Sequence, residues 1–139
     1  MIILDTNVVS ELMKPSPDAA VQTWVRARSG GALSTTSITL PEIRYGIQRL
    51  PDGRRKELLR VTAEDVFAAF EDQILPFDAA AARQYALIVT AGDVAGRPID
   101  GFDAQIAAIC RSRGGALGTR NLKDFQDTGI DVVDPWSAR

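Results

Sequence analysis

Histidine is absent from this chain of 139 residues, and cysteine occurs once, at position 110. Without histidine, the sequence excludes the serine–histidine and cysteine–histidine arrangements of many hydrolases, and it lacks the commonest ligand of zinc and copper. A single cysteine excludes an internal disulfide framework and a zinc site built from several thiolates. Chemistry in this chain therefore has to depend on carboxylates, hydroxyls, lysine, arginine or the backbone.

Long apolar runs are also missing. No stretch approaches the roughly 20 residues of a membrane-spanning helix, and the N-terminal Met-Ile-Ile-Leu-Asp lacks the basic-then-apolar pattern of a signal peptide. We therefore expect a cytoplasmic protein without a membrane partner. The net charge is −2 and the pI about 5.1, so no general excess of basic residues marks the surface for nucleic acid. Any contact with nucleic acid has to be made by a local basic patch.

Apolar residues make up 45% of the chain, enough for a core without disulfides, and the length fits a single domain over residues 1–139. Short apolar runs alternate with segments of helical periodicity. Strands are predicted at residues 2–4, 32–36, 74–77, 116–119 and 130–133, and a proline in the third favours an edge position. This order predicts an α/β fold with a mostly parallel sheet of four or five strands.

Capping signals predict several helix boundaries. Ser16 and Pro17 are typical of an N-cap and a first helical residue, and the glycine pair at 30–31 would end that helix. Asp78 is predicted to be the N-cap of a later helix. Residues 92–98, which contain two glycines and a proline, are predicted to form a loop.

Acidic residues are expected at the carboxyl edge of this sheet, where sites form in open parallel folds. Asp5 directly follows the first predicted strand, and Glu42 lies in the first turn of the helix after the second. Asp103 lies in the first turn of the helix before the fourth strand, so it reaches this edge only if the preceding chain returns there. Asn121 and Asp124 follow the fourth strand.

Converging carboxylates need a counterion, because like charges a few ångström apart raise one another's pKa. Oxygen ligands without histidine or thiolate favour Mg²⁺ or Mn²⁺ over zinc or copper. Such a site activates a water molecule and stabilises in-line attack on a phosphodiester. If the acids converge, we expect hydrolysis that leaves a 5′-phosphate and a 3′-hydroxyl.

Each of these acids also has a structural interpretation that needs no metal. Asp5 could be the N-cap of the next helix. Glu42 could complete a capping box with Thr39, in the pattern Thr-x-x-Glu, although capping and ligation are compatible there. Asp103 could complement the dipole of a helix whose N-cap is Asp100. Taken one at a time, these structural interpretations are favoured over metal ligation.

Four segments, taken together, resemble the PIN-domain ribonuclease toxins of the VapC and FitB type. They are MIILDTNVVSE at 1–11, TLPEIRYG at 39–46, DAQIAA at 103–108 and GTRNLKDF at 118–125. The closing VDPW at 133–136 is similar to the FitB-like branch, so the resemblance spans essentially the whole chain. It implies a PIN-like three-layer α/β/α sandwich. It also implies a metal-dependent endoribonuclease that is the toxin of a type II toxin–antitoxin pair.

The resemblance implies that Asp5, Glu42 and Asp103 are acidic ligands of Mg²⁺, or of Mn²⁺. The family has Asp or Asn at the fourth catalytic position; here it is Asn121, and Asp124 is the other candidate for this ligand. Residues expected to orient the ligands or contact substrate are Thr6, Asn7, Thr119, Arg120 and Asp124. The implied partners are an RNA substrate, a VapB- or FitA-like antitoxin and a second copy of the chain. A heterotetramer or a larger assembly would form with the antitoxin.

Basic residues beside the site could contact phosphates, and Arg120 and Lys123 are better candidates than the cluster at 54–60, which we interpret as a solvated helix face. The alternative function is a catalytically weak PIN-like module that only binds RNA or antitoxin, since position 121 carries no carboxylate. A receiver domain would need an acidic pair, and a haloacid-dehalogenase phosphatase would need Asp in place of Asn7. A nucleotide-binding P-loop is absent from the sequence.

Overall fold

The computed structural model describes residues 1–28 and 33–137, and its strands form one sheet in the order β3-β2-β1-β4-β5. All four strand pairings are parallel. The strands are β1 (Ile2–Leu4), β2 (Leu33–Thr36), β3 (Ile74–Leu75), β4 (Ala116–Gly118) and β5 (Val132–Val133). The predicted parallel sheet and the edge position of the third strand are confirmed. Residue 32 of the predicted second strand and the glycine pair at 30–31 lie outside the described residues.

Helices connect these strands and account for most of the remaining chain. They are α1 (Thr6–Leu12), α2 (Ala19–Ala27), α3 (Thr39–Gln48), α4 (Arg54–Ala69), α5 (Ala79–Val94) and α6 (Gly101–Arg113). Two short 3-10 helices lie between α4 and β3, at Glu71–Gln73, and between β4 and β5, at Leu122–Phe125. Among the residues that the structure describes, no helix combines the length and the apolar character needed to cross a membrane.

The core is divided between the two faces of the sheet, because successive residues of a strand point to opposite sides. Ile3 of β1 packs with Ile88 of α5 and with Ile109 of α6. The next residue, Leu4, belongs to the second cluster, which contains Trp24 and other apolar side chains of α1 to α4. Helices therefore cover both faces, and the expected three-layer α/β/α sandwich is confirmed.

The predicted start of the second helix is wrong. Asp18, and not Ser16, is the N-cap of α2, and its carboxylate accepts the backbone N–H of Ala20 at 2.8 Å. The buried Glu11 carboxylate accepts the backbone N–H of Asp18 at 3.0 Å, which fixes this turn against α1. Pro17 therefore precedes the cap instead of opening the helix.

The predicted loop at residues 92–98 is wrong in its first part, because α5 continues to Val94. Gly92 is buried inside this helix, and a Cβ atom there would lie 2.9 Å from the carbonyl oxygen of Arg97. The absence of a side chain at position 92 thus permits the following segment to fold back onto the helix. The predicted N-cap of α5 is confirmed, since the Asp78 carboxylate accepts the N–H of Ala81 at 3.0 Å.

Candidate active site

Asp5 lies at the carboxyl end of the central strand, between β2 and β4, where the strand order changes direction. Its backbone N–H donates to the carbonyl of Gly118 at 2.9 Å, and its side chain is buried. One carboxylate oxygen accepts the backbone N–H of Thr6 at 2.8 Å, and the other accepts the hydroxyl of Thr119 at 2.7 Å. Asp5 is therefore an N-cap, as its structural interpretation predicts, and it also has a fixed orientation at the sheet edge.

Glu42 is held from α1 and not by its own helix. The Thr6 hydroxyl donates to the Glu42 carboxylate at 2.8 Å and lies 3.2 Å from the Thr39 hydroxyl. The backbone N–H groups of Ile38 and Thr39 donate to the Thr36 hydroxyl at 3.2 and 3.3 Å. The predicted capping box of Thr39 and Glu42 is thus wrong: Thr36 caps this turn, and the glutamate faces Asp5.

Asp103 reaches the same edge of the sheet. Asp100 is the N-cap of α6, as predicted, and accepts the N–H groups of Phe102 and Asp103 at 3.0 and 3.4 Å. This cap leaves the half-buried Asp103 side chain free in the first helical turn, where it forms no hydrogen bond with the described residues. The charges of Asp5 and Glu42 contribute to raising the pKa of Asp103, as expected if the chain returns to this edge.

Burial and mutual repulsion raise the pKa of all three predicted ligands. The pKa of Asp103 is raised to about 7, mainly by burial and then by the charges of Asp5, Asp100, Asp124 and Glu42. Burial likewise raises the pKa of Asp5, although hydrogen bonds from Thr119 and Thr6 oppose it. Burial raises the pKa of Glu42 against the hydrogen bond from Thr6. No positively charged side chain contributes to these three shifts, so the acids are not compensated within the described protein.

Asn121 and Asp124 take different positions around this centre. The Asn121 backbone N–H donates to the Thr119 hydroxyl at 3.1 Å, while its exposed side chain forms no hydrogen bond with the described residues. The charge of Asp124 raises the pKa of both Asp5 and Asp103, so this carboxylate belongs to the same cluster. The acidic centre is defined from here on as Asp5, Glu42, Asp103 and Asp124.

The expected surrounding residues form one network around Asp5. Thr119 is fully buried, and its hydroxyl accepts the side-chain N–H of Asn7 at 3.3 Å. The side-chain amide oxygen of Asn7 accepts the backbone N–H of Arg120 at 3.3 Å. The Arg120 guanidinium lies 4.8 Å from the centroid of the Trp136 ring. Sequence reasoning gave Trp136 no role, because only the folded chain brings the C-terminal segment beside position 120.

Two of the four basic residues at positions 54–60 are paired locally. Lys56 contacts Asp52 at 3.1 Å, and Arg60 contacts Glu57 at 2.6 Å. These exposed pairs agree with the interpretation of residues 54–60 as a solvated helix face. Lys123 instead lies beside the acidic centre, and within residues 1–28 and 33–137 it forms no ion pair.

The chemistry of the acidic centre fits a hard divalent cation, because every candidate donor is an oxygen and the local charge is negative. Within the described part of the chain, no group of three or more acidic, cysteine or histidine side chains is arranged so that it could hold a metal ion by itself. Mg²⁺ retains several waters and is usually bound through one or two carboxylates together with substrate phosphates. An open, partial ligand set therefore fits Mg²⁺ better than it fits a closed structural site.

Comparison with known proteins agrees with this fold. The PIN domain family model matches residues 2–130. A VapC ribonuclease of Sinorhizobium fredii is 37% identical over 98% of each chain. Toxin FitB of Neisseria gonorrhoeae is 33% identical over 98% of this chain and 99% of its own. The crystal structure of FitAcB from Neisseria gonorrhoeae superposes with a TM-score of 0.91 at 32% identity, covering 99% of this chain and 100% of that one. The chain therefore belongs to the PIN domain family, among its VapC- and FitB-like members.

Proposed function

We propose that this chain is a metal-dependent endoribonuclease and the toxin of a type II toxin–antitoxin pair, acting in the cytoplasm. The observation that carries the proposal is the acidic centre itself: acids from distant segments raise one another's pKa near the switch in strand order, and no basic side chain among the described residues offsets this. Such a cluster is a common signature of a functional site, since burial and like charges cost stability unless a ligand offsets them. The name of the Sinorhizobium fredii relative, a VapC ribonuclease, supports RNA as the substrate.

In this proposal, Asp5, Glu42 and Asp103 hold Mg²⁺ or Mn²⁺, and Asp124 supplies the fourth acid. A bound divalent cation would offset the negative charge, activate a water molecule and stabilise the phosphodiester as it is attacked. The Thr119 hydroxyl orients Asp5, and the Thr6 hydroxyl orients Glu42. These hydrogen bonds fix the carboxylates before the substrate arrives.

Asn121 acts through its backbone in this scheme. Its N–H donates to the Thr119 hydroxyl, and Thr119 in turn donates to Asp5. The turn at position 121 thereby keeps Thr119 aligned, while the Asp124 carboxylate faces the cluster. Arg120 and Lys123 lie in the segment that carries Asp124, and we assign them to phosphate contacts along the RNA.

The antitoxin partner has a suitable surface next to the acidic centre. An apolar groove of about 790 Å³ is lined by the end of α1, by α3 and by α4, and it includes Thr6 and Glu42 at its catalytic end. Leu58 and Leu59 contribute apolar surface from α4. We assign this groove to a segment of a VapB- or FitA-like antitoxin, which would block the site while bound. A homodimer, and a heterotetramer or larger complex with antitoxin, are part of the same proposal.

RNA cleavage by the purified, antitoxin-free chain tests the proposed function. A pool of structured RNAs is incubated with Mg²⁺, with Mn²⁺ or with EDTA. We expect metal-dependent cuts that Asp5→Asn and Asp103→Asn reduce by about a thousandfold, the scale of several kcal/mol of transition-state stabilisation. Asp65→Asn, which removes an exposed acid of α4, is the matched control and should cleave normally.

Three results would overturn the nuclease proposal or its site. Cleavage that persists in both variants would place the activity outside the acidic centre. Cleavage that is lost equally in Asp65→Asn would indicate a general effect of charge removal. RNA binding without cleavage under either metal, by a chain whose variants melt like the wild type, would establish the binding-only module instead.

A further inference from the structure

A second concave feature opens beside the acidic centre and is not needed to hold a metal. This side cleft has a volume of about 360 Å³. Two segments line it: residues 97–100 with Gly92 and Ile88, and Lys123 and Asp124 with residues 126–128. Asp103 of the acidic centre also lines it, so a group bound in the cleft would lie beside the proposed metal ligands.

The walls of the side cleft are fixed by contacts that do not involve the acidic centre. The Arg97 guanidinium contacts the Asp127 carboxylate at 2.7 Å and so joins the two segments. The backbone N–H of Arg97 donates to the carbonyl of Gly92 at 2.9 Å, which holds the first segment on α5. The Thr128 hydroxyl donates to the carbonyl of Phe125 at 2.6 Å, which holds the second. The cleft is therefore formed without a ligand, as small-molecule sites usually are.

The lining combines apolar side chains with polar groups that have free hydrogen-bonding capacity. Pro98 and Ile99 supply most of the apolar part, since Ile88 is only 2% exposed. The Gln126 side chain is exposed and forms no hydrogen bond with the described residues, so its amide can both donate and accept. This combination suits a planar heterocycle with a polar edge.

The charged residues that line the side cleft limit which chemical groups can bind there. Apart from Asp100, Asp103 and Asp124, the charged lining residues are Arg97 and Asp127, which neutralise each other, and Lys123. A bare phosphate would lie too close to Asp100, Asp103 and Asp124. An uncharged ring is favoured, with Lys123 left to contact the phosphate attached to it.

We propose that the side cleft binds one nucleobase of a single-stranded RNA, that of a nucleotide adjoining the cut, and that Gln126 reads its polar edge. The inference rests on the proposed function, since the acidic centre beside the cleft has to hold the scissile phosphodiester. Sequence-specific recognition of RNA generally uses unstacked bases of single-stranded segments, whose edges are free for hydrogen bonds. The side cleft would then set a base preference at one position of the substrate.

Binding of free nucleosides tests the cleft without requiring cleavage. Adenosine, guanosine, cytidine and uridine are titrated to millimolar concentration into metal-free protein, and backbone amide shifts are followed by NMR. We expect at least one nucleoside to shift the amides of Gly92, Ile99 and Gln126 saturably, while ribose does not. Gln126→Trp, which fills the cleft from an exposed position, should abolish these shifts and melt like the wild type.

Cleavage of a random single-stranded RNA pool gives the second measurement. Sequencing of the cut ends should show a base preference at one adjoining position that falls about tenfold in Gln126→Trp, the scale of one specific base contact. The matched control is Gln48→Trp, an exposed glutamine of α3 outside the cleft, which should keep the wild-type preference.

The outcomes of the two experiments distinguish failure of the base-binding proposal from failure of the nuclease proposal. Nucleoside shifts that Gln126→Trp removes, in a chain that cuts no RNA, would support the cleft and overturn the nuclease. Cleavage without nucleoside shifts at the cleft, and with an unchanged base preference in Gln126→Trp, would overturn the cleft and leave the nuclease standing. Shifts produced equally by ribose, or by N-acetylarginine amide in place of any nucleoside, would also overturn the assignment to a base.

Discussion

Carboxylates in the acidic centre and on the exposed face of α4 are in opposite electrostatic environments. On α4, Glu57 accepts hydrogen bonds from the Arg60 side chain three residues later, and this partner lowers its pKa. In the acidic centre, burial and neighbouring acids raise the pKa of Asp103 to about 7. The α4 pair is local and open to water, whereas the centre collects acids from segments far apart in the chain.

This contrast shows where unfavourable charge is concentrated in the fold. Exposed ion pairs one helical turn apart form readily in any surface helix and contribute little to stability. Uncompensated buried acids cost stability, and a fold retains them when a ligand or a reaction offsets the cost. A divalent cation at the acidic centre would supply the partner that Arg60 supplies to Glu57.

Among substitutions that keep the charge of the acidic centre, the largest effect is expected when the orientation of its carboxylates is disturbed. Thr119→Val removes the hydroxyl that donates to Asp5 at 2.7 Å and keeps the shape of the side chain. We expect RNA cleavage to fall about 10- to 100-fold and the Mg²⁺ concentration for half-maximal activity to rise, as for other groups that orient metal ligands. Thr119→Ser should restore both. Loss of activity with an unchanged Mg²⁺ requirement, or without rescue by serine, would assign Thr119 a purely structural role.

A smaller effect on stability is expected when the pH is changed. The pKa of Asp103 is about 7 in the folded chain and near 3.8 in the unfolded one, so the folded state binds more protons between these values. Stability should therefore fall as the pH rises through this window and be lowest above it. In EDTA, we expect the melting temperature to drop by a few degrees between pH 5 and pH 8.

Two variations check the origin of that drop. Asp103→Asn should reduce it, and millimolar Mg²⁺ at pH 8 should reverse it in the wild type. Because Asp103 is only half-buried, solvent screening keeps the expected change small. A melting temperature that rises from pH 5 to pH 8 in EDTA would contradict the electrostatic account of the centre.

The smallest effect is expected on α4, where substitutions of the exposed ion pairs should change stability and RNA cleavage very little. Arg60→Ala breaks the exposed contact with Glu57. We expect the melting temperature to change by less than about 4 °C and RNA cleavage to be unaffected, measured by calorimetry and by the RNA assay. A loss of cleavage in this variant would give α4 a role in RNA binding that its local pairing does not suggest.

The sheet could be predicted from the sequence because its signals are local. Short apolar runs that alternate with helical periodicity indicate parallel strands joined by helices. The position of Asp5 followed directly, since the residue after a central strand has to lie at the carboxyl edge. Gly92 was misinterpreted, because its small size serves a close approach of the Arg97 carbonyl and not a helix end.

The details of the site depended on contacts that the sequence does not encode locally. Thr39 and Glu42 have the spacing of a capping box, yet Thr36 from the preceding strand end takes the capping role. The return of Asp103 to the sheet edge could only be assumed. The different surroundings of Asn121 and Asp124 could not be predicted, because they depend on the 3-10 helix that follows Asn121.

The central claim is that the acidic centre is completed by a divalent cation, and a Mn²⁺ titration followed by calorimetry tests it most directly. Wild type, Asp103→Asn and Asp65→Asn are compared at pH 8, where Asp103 is largely ionised in the free protein. The account predicts saturable binding in the wild type and in Asp65→Asn, and binding at least tenfold weaker in Asp103→Asn. No binding by the wild type, or equal binding by all three proteins, would contradict it.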